Sequence, residues 1–130
     1  MAEKIIVAKV FVINPSGLIL TMRRSKTDTR RPLTWDLPGG GVEYGEDPKD
    51  AVIRETYEEV GIKLETADIF YVSSTNEKTY VIRLLFYART TSKDVKLSFE
   101  HDQFKWVTKD EFTKLELPDY QKDATKGLPD

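Results

Sequence analysis

Gly40 to Ile62 reads GGVEYGEDPKDAVIRETYEEVGI, and the rest of the chain is read outward from it. Its second half carries the marks of a helix with two defined ends. Asp47 is a good N-cap, and Pro48 suits the first helical position because its missing N–H would have no helical partner there. Asp50 adds negative charge in the first turn, where the helix dipole favours it. Gly61 supplies the left-handed residue that stops a helix. The spacing therefore predicts a helix from Pro48 to Val60. At about 100° per residue, Glu55, Glu58 and Glu59 stand at i, i+3 and i+4 and share one face. Val52, Ile53, Thr56 and Val60 fall on the neighbouring arc, which would dock on a sheet. Arg54 lies on the far flank of the acids.

Three acids so placed repel one another. On an arbitrary helix they would be a solvated surface. Here a run of three glycines, Gly39 to Gly41, lies just upstream and is followed by Glu43 and Glu46. Glycine lets backbone approach a ligand closely and turn its amides or carbonyls toward it. Gly40 is the candidate substrate-binding position in that run. A hard divalent cation would offset the repulsion, since Mg²⁺ and Mn²⁺ take oxygen ligands.

On the N-terminal side, Ile5 to Ile13 is β-branched and aromatic, interrupted by Lys9, and reads as a well-buried strand. Asn14-Pro15-Ser16-Gly17 is a turn, and Leu18 to Met22 returns as a second strand. Arg23 to Arg31, with five basic residues and one acid, reads as a loop. Trp35 to Leu37 is a short apolar piece entering the glycines. On the C-terminal side, Ile69 to Ser73 and Tyr80 to Arg89 read as strands joined by a turn at residues 75–78. Phe104 to Val107 is a short strand, and Lys109 to Leu115 a short helix capped by Thr108. The polar tail, residues 118–130, either belongs to the domain or is partly disordered.

The whole chain has 130 residues, enough for one core without staples. Lys+Arg 20 against Asp+Glu 22 gives a net charge of −2, which argues against a protein that grips nucleic acid through bulk positive charge. With no cysteine, disulfides, thiolate zinc sites and cysteine nucleophiles are excluded, and the single histidine cannot make a multi-histidine metal site. The first residues lack the pattern of a signal peptide, and no apolar run approaches the roughly 18 residues of a membrane span. The expected location is the cytosol.

The central stretch also resembles a family pattern. Gly40, five residues, Glu46, seven residues and then Arg54-Glu55-Thr56-Tyr57-Glu58-Glu59-Val60-Gly61-Ile62 is similar to the 23-residue box of the Nudix (MutT-like) hydrolases, G-x5-E-x7-R-E-U-x-E-E-x-G-U, with U aliphatic. All seven strictly typed positions match. Thr56 stands where an aliphatic residue is usual, a packing variation. Trp35-Asp36-Leu37-Pro38-Gly39-Gly40 resembles the family's lead-in, and Glu100 to Val107 its later segment, so the likeness runs from about Ile5 to Leu115.

The resemblance implies an α/β class fold, a single-domain α/β/α sandwich around a mixed β-sheet, with residues 1–117 as the hydrolase domain. It also implies hydrolysis of a nucleotide-type diphosphate with Mg²⁺ or Mn²⁺, most plausibly as a (deoxy)nucleoside triphosphate pyrophosphohydrolase. Metal ligands implied are Glu55, Glu58, Glu59, the Gly39 carbonyl and Glu100. Glu55 corresponds to the acid assigned as base or base-orienter, Arg54 to the arginine that orients the carboxylates, Glu46 to the first acid of the box, and Arg24 to an arginine facing phosphates. The partner implied is a nucleotide-type substrate, with neither nucleic acid nor membrane; monomer and homodimer both stay open. The alternatives are a nucleotide-sensing domain without turnover, and a hydrolase of dinucleoside polyphosphates or nucleotide sugars. Tyr71, Tyr80, Phe86 and Tyr87 read first as core aromatics, and His101 as a surface residue.

Overall fold

A computed structural model describes residues 3–76 and 78–129. The chain runs β1 (Lys4–Ile13), β2 (Ile19–Arg24), β3 (Trp35–Asp36), β4 (Gly39–Gly41), α1 (Pro48–Val60), β5 (Asp68–Asn76), β6 (Tyr80–Arg89), β7 (His101–Val107), α2 (Lys109–Thr113), α3 (Asp119–Ala124) and a closing 3₁₀ turn, Thr125–Gly127. The strands form one mixed sheet in the order β3-β2-β1-β6-β5, with β4 paired to β1 and β7 to β2. β1 lies parallel to β6 from Lys4↔Tyr80 to Ile13↔Arg89, and antiparallel to β2 and β4.

Alternation along β1 builds both cores. Ala8, Val10 and Val12 face α1 and bury against Val52, Val60 and Ile62. Phe11 and Ile13 face the other way, against Phe112, Leu117, Ala124 and Leu128. The sheet is thus covered by α1 on one side and by α2 with α3 on the other. This is why the middle of β1 is apolar at nearly every position: both faces are dry. Each large side chain so buried contributes roughly 1.5–3 kcal/mol. Phe86 joins the α1 core while Tyr87 and Tyr71 pack at the other, as alternation requires.

α1 has the expected bounds. The Asp47 side chain accepts from Lys49 N at 2.8 Å, and Gly61, at φ 73°, donates to the Tyr57 carbonyl at 3.0 Å. Thr56 is fully buried and spends its hydroxyl on the Val52 carbonyl at 2.7 Å, so the departure from an aliphatic residue leaves no unmet polar group. Thr108 and Glu111 form a reciprocal capping box at the start of α2.

Several elements differ from their expected bounds. The run of three glycines forms strand β4, with Gly39, Gly40 and Gly41 opposite Lys9, Ala8 and Val7. Pairing with β1 supplies what glycine's own propensity does not. β5 extends to Asn76 and β7 begins at His101, each held by its neighbour in the sheet. Of the expected turn after β5, Glu77 lies outside the described residues. Residues 119–124 of the polar tail are helical, and Ala124 and Leu128 are buried. Among the described residues no helix is long and apolar enough to cross a membrane.

Candidate active site

The acids of α1 stand over β4. Glu59, on the last turn, is only 7% exposed, and its Oε1 accepts the Gly39 amide at 2.8 Å. Burial pushes its carboxyl up to about 7; Lys9 and the Gly39 amide pull the other way, and Glu55 and Asp36 add to the rise. Glu55 is half-buried against Gly40, where a Cβ would lie 3.3 Å from its carboxylate. Its pKa is also raised, first by burial, with Arg54 opposing and Glu58 adding. Gly39 has φ 131°, and a side chain there would collide with the Ala8 carbonyl. The close approach of β4 to β1 therefore requires glycine at this point.

Arg54 gathers the remaining acids. It donates through Nε and Nη2 to the two oxygens of Glu46 at 2.9 and 3.1 Å, and through Nη1 to Glu55 at 3.2 Å and Glu58 at 3.3 Å. Helical geometry put its Cα on the far flank, yet its long side chain curls back to reach all three. The Arg54 hydrogen bonds hold Glu46 below the usual carboxylate range. Glu58 is the most exposed of the three helix acids, and among the described residues no three acidic or histidine side chains converge on one point. The three carboxylates therefore share a face but lean on different partners.

Glu100 sits in the turn before β7. Its carbonyl accepts from Ser25 N at 2.9 Å, and Ser98 N donates to the Glu59 carbonyl at 3.0 Å, which runs this loop past the end of α1. The Glu100 side chain is exposed.

A second cluster, which the residue patterns did not pick out, lies beneath. Lys9 points its ammonium at Asp36 Oδ2, the Leu37 carbonyl and the Gly39 carbonyl, each at 3.2 Å. Asp36 also accepts from Arg24 Nη1 at 2.9 Å, Gln121 Nε2 at 2.7 Å and the Leu37 amide at 2.8 Å. Burial opposes the charge of both Lys9 and Asp36. Their mutual attraction and these hydrogen bonds outweigh it, keeping the ammonium above and the carboxyl below their ordinary values. Arg24 is held here rather than left free. Its other nitrogens bond Asp28 at 2.9 and 3.0 Å. His101 is half-buried rather than on the surface, with Nδ1 buried and without a hydrogen-bond partner. Burial lowers its pKa, with Asp36 and Glu100 opposing. In the sequence its members appeared only separately, as a lysine inside an otherwise apolar strand, Arg24 after the second strand and Asp36 in the lead-in.

The donors around β4 are all oxygen: carboxylates and a peptide carbonyl. That set suits Mg²⁺ or Mn²⁺ and suits softer metals poorly. Glu59, poised near neutrality by burial, would gain its full charge beside a cation. Glu58 would have to leave Arg54, which costs an exposed ion pair little.

A family model described as the NUDIX domain matches residues 4–128. A curated relative named nucleoside triphosphatase NudI, from Enterobacter sp. (strain 638), is 30% identical over 118 residues, spanning 82% of this chain and 84% of its own. The crystal structure of a MutT protein from Methanosarcina mazei Go1 superposes with a TM-score of 0.86 at 33% identity, covering 96% of this chain and 92% of that one. An Ap4A hydrolase from C. elegans superposes at 0.72 with 27% identity, covering 95% and 93%.

Proposed function

The chain belongs to the Nudix family, and from that premise we propose that it is a metal-dependent hydrolase that splits a nucleoside triphosphate into the monophosphate and pyrophosphate. The observation that carries this reading is the seating of the α1 acids on the glycine strand. Glu59 is bonded to the Gly39 amide and Glu55 lies against Gly40, with Arg54 tying Glu55 to Glu46 and Glu58. The relatives named nucleoside triphosphatase and MutT supply the substrate class.

Glu55, Glu58, Glu59 and the Gly39 carbonyl would hold Mg²⁺ or Mn²⁺, with Glu100 approaching from its loop. A bound ion supplies charge for the phosphoryl oxygens and acidity to the attacking water. The protein's own part is orientation and proton transfer. Arg54 fixes Glu55, whose carboxylate is then placed to take the proton of the attacking water. Water attacks one of the two phosphorus atoms that flank the α–β bridging oxygen of the triphosphate, the P–O bond to that oxygen breaks, and monophosphate and pyrophosphate separate. Gly40, with no side chain, lets the triphosphate approach the backbone. Retention of every box carboxylate favours turnover over nucleotide sensing alone. The working domain includes the tail, because Gln121 bonds Asp36 beneath the site. A cytoplasmic location belongs to the same reading, since that is where nucleoside triphosphates are.

A panel of nucleoside triphosphates, dinucleoside polyphosphates and nucleotide sugars, with products separated by chromatography, tests the substrate. Monophosphate plus pyrophosphate from a triphosphate is the expected outcome. EDTA should abolish turnover and added Mg²⁺ should restore it. Full activity in metal-free buffer would sink the mechanism, and stepwise release of single phosphates would point to an ordinary phosphatase.

A further inference from the structure

Gly39 is held at both of its peptide groups. Glu59 takes its N–H at 2.8 Å and Lys9 takes its carbonyl at 3.2 Å. Lys9 reaches there because β1 and β4 pair in the register Lys9↔Gly39. Its three protons meet three acceptors, Asp36 Oδ2 and the carbonyls of Leu37 and Gly39, so none is left to reach for a substrate. The side chain is about nine-tenths buried and cannot swing away into water. A positive charge is therefore built into the wall of the candidate metal centre, on the same carbonyl that the centre would use.

We propose that Lys9 is a tethered cation of that centre, a positioning residue whose ammonium shares the Gly39 carbonyl with the divalent ion and sets how weakly this chain holds it. The proposal rests on the reading of Gly39 as a ligand. A Mg²⁺ on that carbonyl, at about 2.1 Å, would stand no farther than about 5.3 Å from the ammonium, which lies 3.2 Å from the same oxygen. The two cations repel, and Asp36 offsets only part of the repulsion because it also serves Arg24. In return, Lys9 supplies positive charge to the buried Glu59 and fixes the carbonyl when no divalent ion is bound. A weakly held ion suits a site whose metal arrives and leaves with a nucleotide.

The test is a direct Mn²⁺ titration of the full chain without nucleotide, followed by electron paramagnetic resonance of the free ion. Lys9→Gln keeps an amide to donate to the carbonyls but removes the charge. It should bind Mn²⁺ about tenfold more tightly than wild type, a factor in keeping with a unit charge near 5 Å partly cancelled by Asp36. Lys9→Met, the neutral isostere, should shift in the same direction with a lower metal-free thermal midpoint, because two carbonyls lose their donor. Lys9→Arg keeps the charge and should keep affinity near the wild-type value. A purely structural role for Lys9 predicts weaker Mn²⁺ binding in all three variants. Folded Lys9→Gln protein that binds Mn²⁺ no more tightly than wild type would overturn the proposal. Wild-type protein that binds no Mn²⁺ either alone or with a non-hydrolysable nucleoside triphosphate would overturn the metal-dependent function itself, so the two failures are distinguishable.

Discussion

Two charged clusters lie on either side of the glycine strand and could hardly differ more. Beneath it, Lys9, Arg24, Asp36 and Asp28 pair two cations with two anions, largely out of water. Above it, Arg54 alone faces Glu46, Glu55 and Glu58, with Glu59 close behind. The lower cluster is neutral and closed, and every member has its partner within the protein. The upper one carries an excess of negative charge with one side open. Buried charges persist where they are paired, and removing one partner is costly. An unbalanced, half-open cluster is where a protein leaves room for a ligand's charge. The difference separates the groups that hold the fold from those that the proposed function gives to a cation.

The harshest way to break this contrast is Asp36→Ala. It leaves Lys9 buried with two carbonyls and no counter-charge, Arg24 with Asp28 alone, and Gln121 with only the Tyr120 hydroxyl. A loss of about 3–5 kcal/mol in urea unfolding is expected. A loss under 1 kcal/mol would mean the lower cluster is not structural.

Glu59→Gln probes the upper cluster at its most buried member. The amide oxygen can still accept from Gly39, so the fold survives, but the charge is gone. Turnover should drop on the order of 10²-fold or more, as for loss of a principal electrostatic stabiliser. The metal-free thermal midpoint should hold or rise. Near wild-type turnover would reject the assigned site.

The same residue predicts a pH dependence. Glu59 has a folded pKa of about 7, above the roughly 4.3 of an unfolded glutamate. The folded chain thus holds the proton more tightly, and its advantage is lost as pH rises through the folded value. In EDTA, stability should fall by about 2.5 kcal/mol from pH 5 to pH 8 on account of this group. His101, whose pKa is lowered, works in the opposite direction near pH 6, so the quantity to measure is wild type minus Glu59→Gln. A flat difference would show Glu59 to be ionised throughout.

The smallest effect on stability belongs to Arg54→Ala. Its ion pairs are partly exposed, and the cost should stay within about 1 kcal/mol. Turnover should fall far more than that figure suggests, because Glu55 loses its orienting partner. Urea melts and single-turnover rates on the same preparation would separate the two.

The upper cluster was legible in the sequence because it is local. Asp47, Pro48 and Gly61 mark the ends of α1, and helical spacing alone aligns Glu55, Glu58 and Glu59. The lower cluster was not, because its members come from distant places. Lys9 on β1 meets Asp36 on β3 only once β2 has paired with both strands, and Gln121 arrives from a helix whose N-cap, Pro118, makes no side-chain cap. Tertiary pairing also made a strand of Gly39–Gly41, against the habit of glycine. Arg24 was expected to face phosphate. Its guanidinium is instead divided between two aspartates, Asp28 in the loop and Asp36 in the lead-in, whose spacing gives no sign that they meet it.

The long parallel pairing of β1 with β6 has a consequence for how the molecule comes into being. Each rung joins residues far apart in the chain, from Lys4↔Tyr80 to Ile13↔Arg89. On a ribosome adding about 5–20 residues per second, β1 waits roughly 4–15 s for its main neighbour. During that time Val10, Phe11 and Val12 have only part of their shelter. Contacts of such long range slow the search for the native state. The most hydrophobic strand of the protein is therefore also among the last to be completed, and the nascent chain is most prone to aggregate before β6 has emerged.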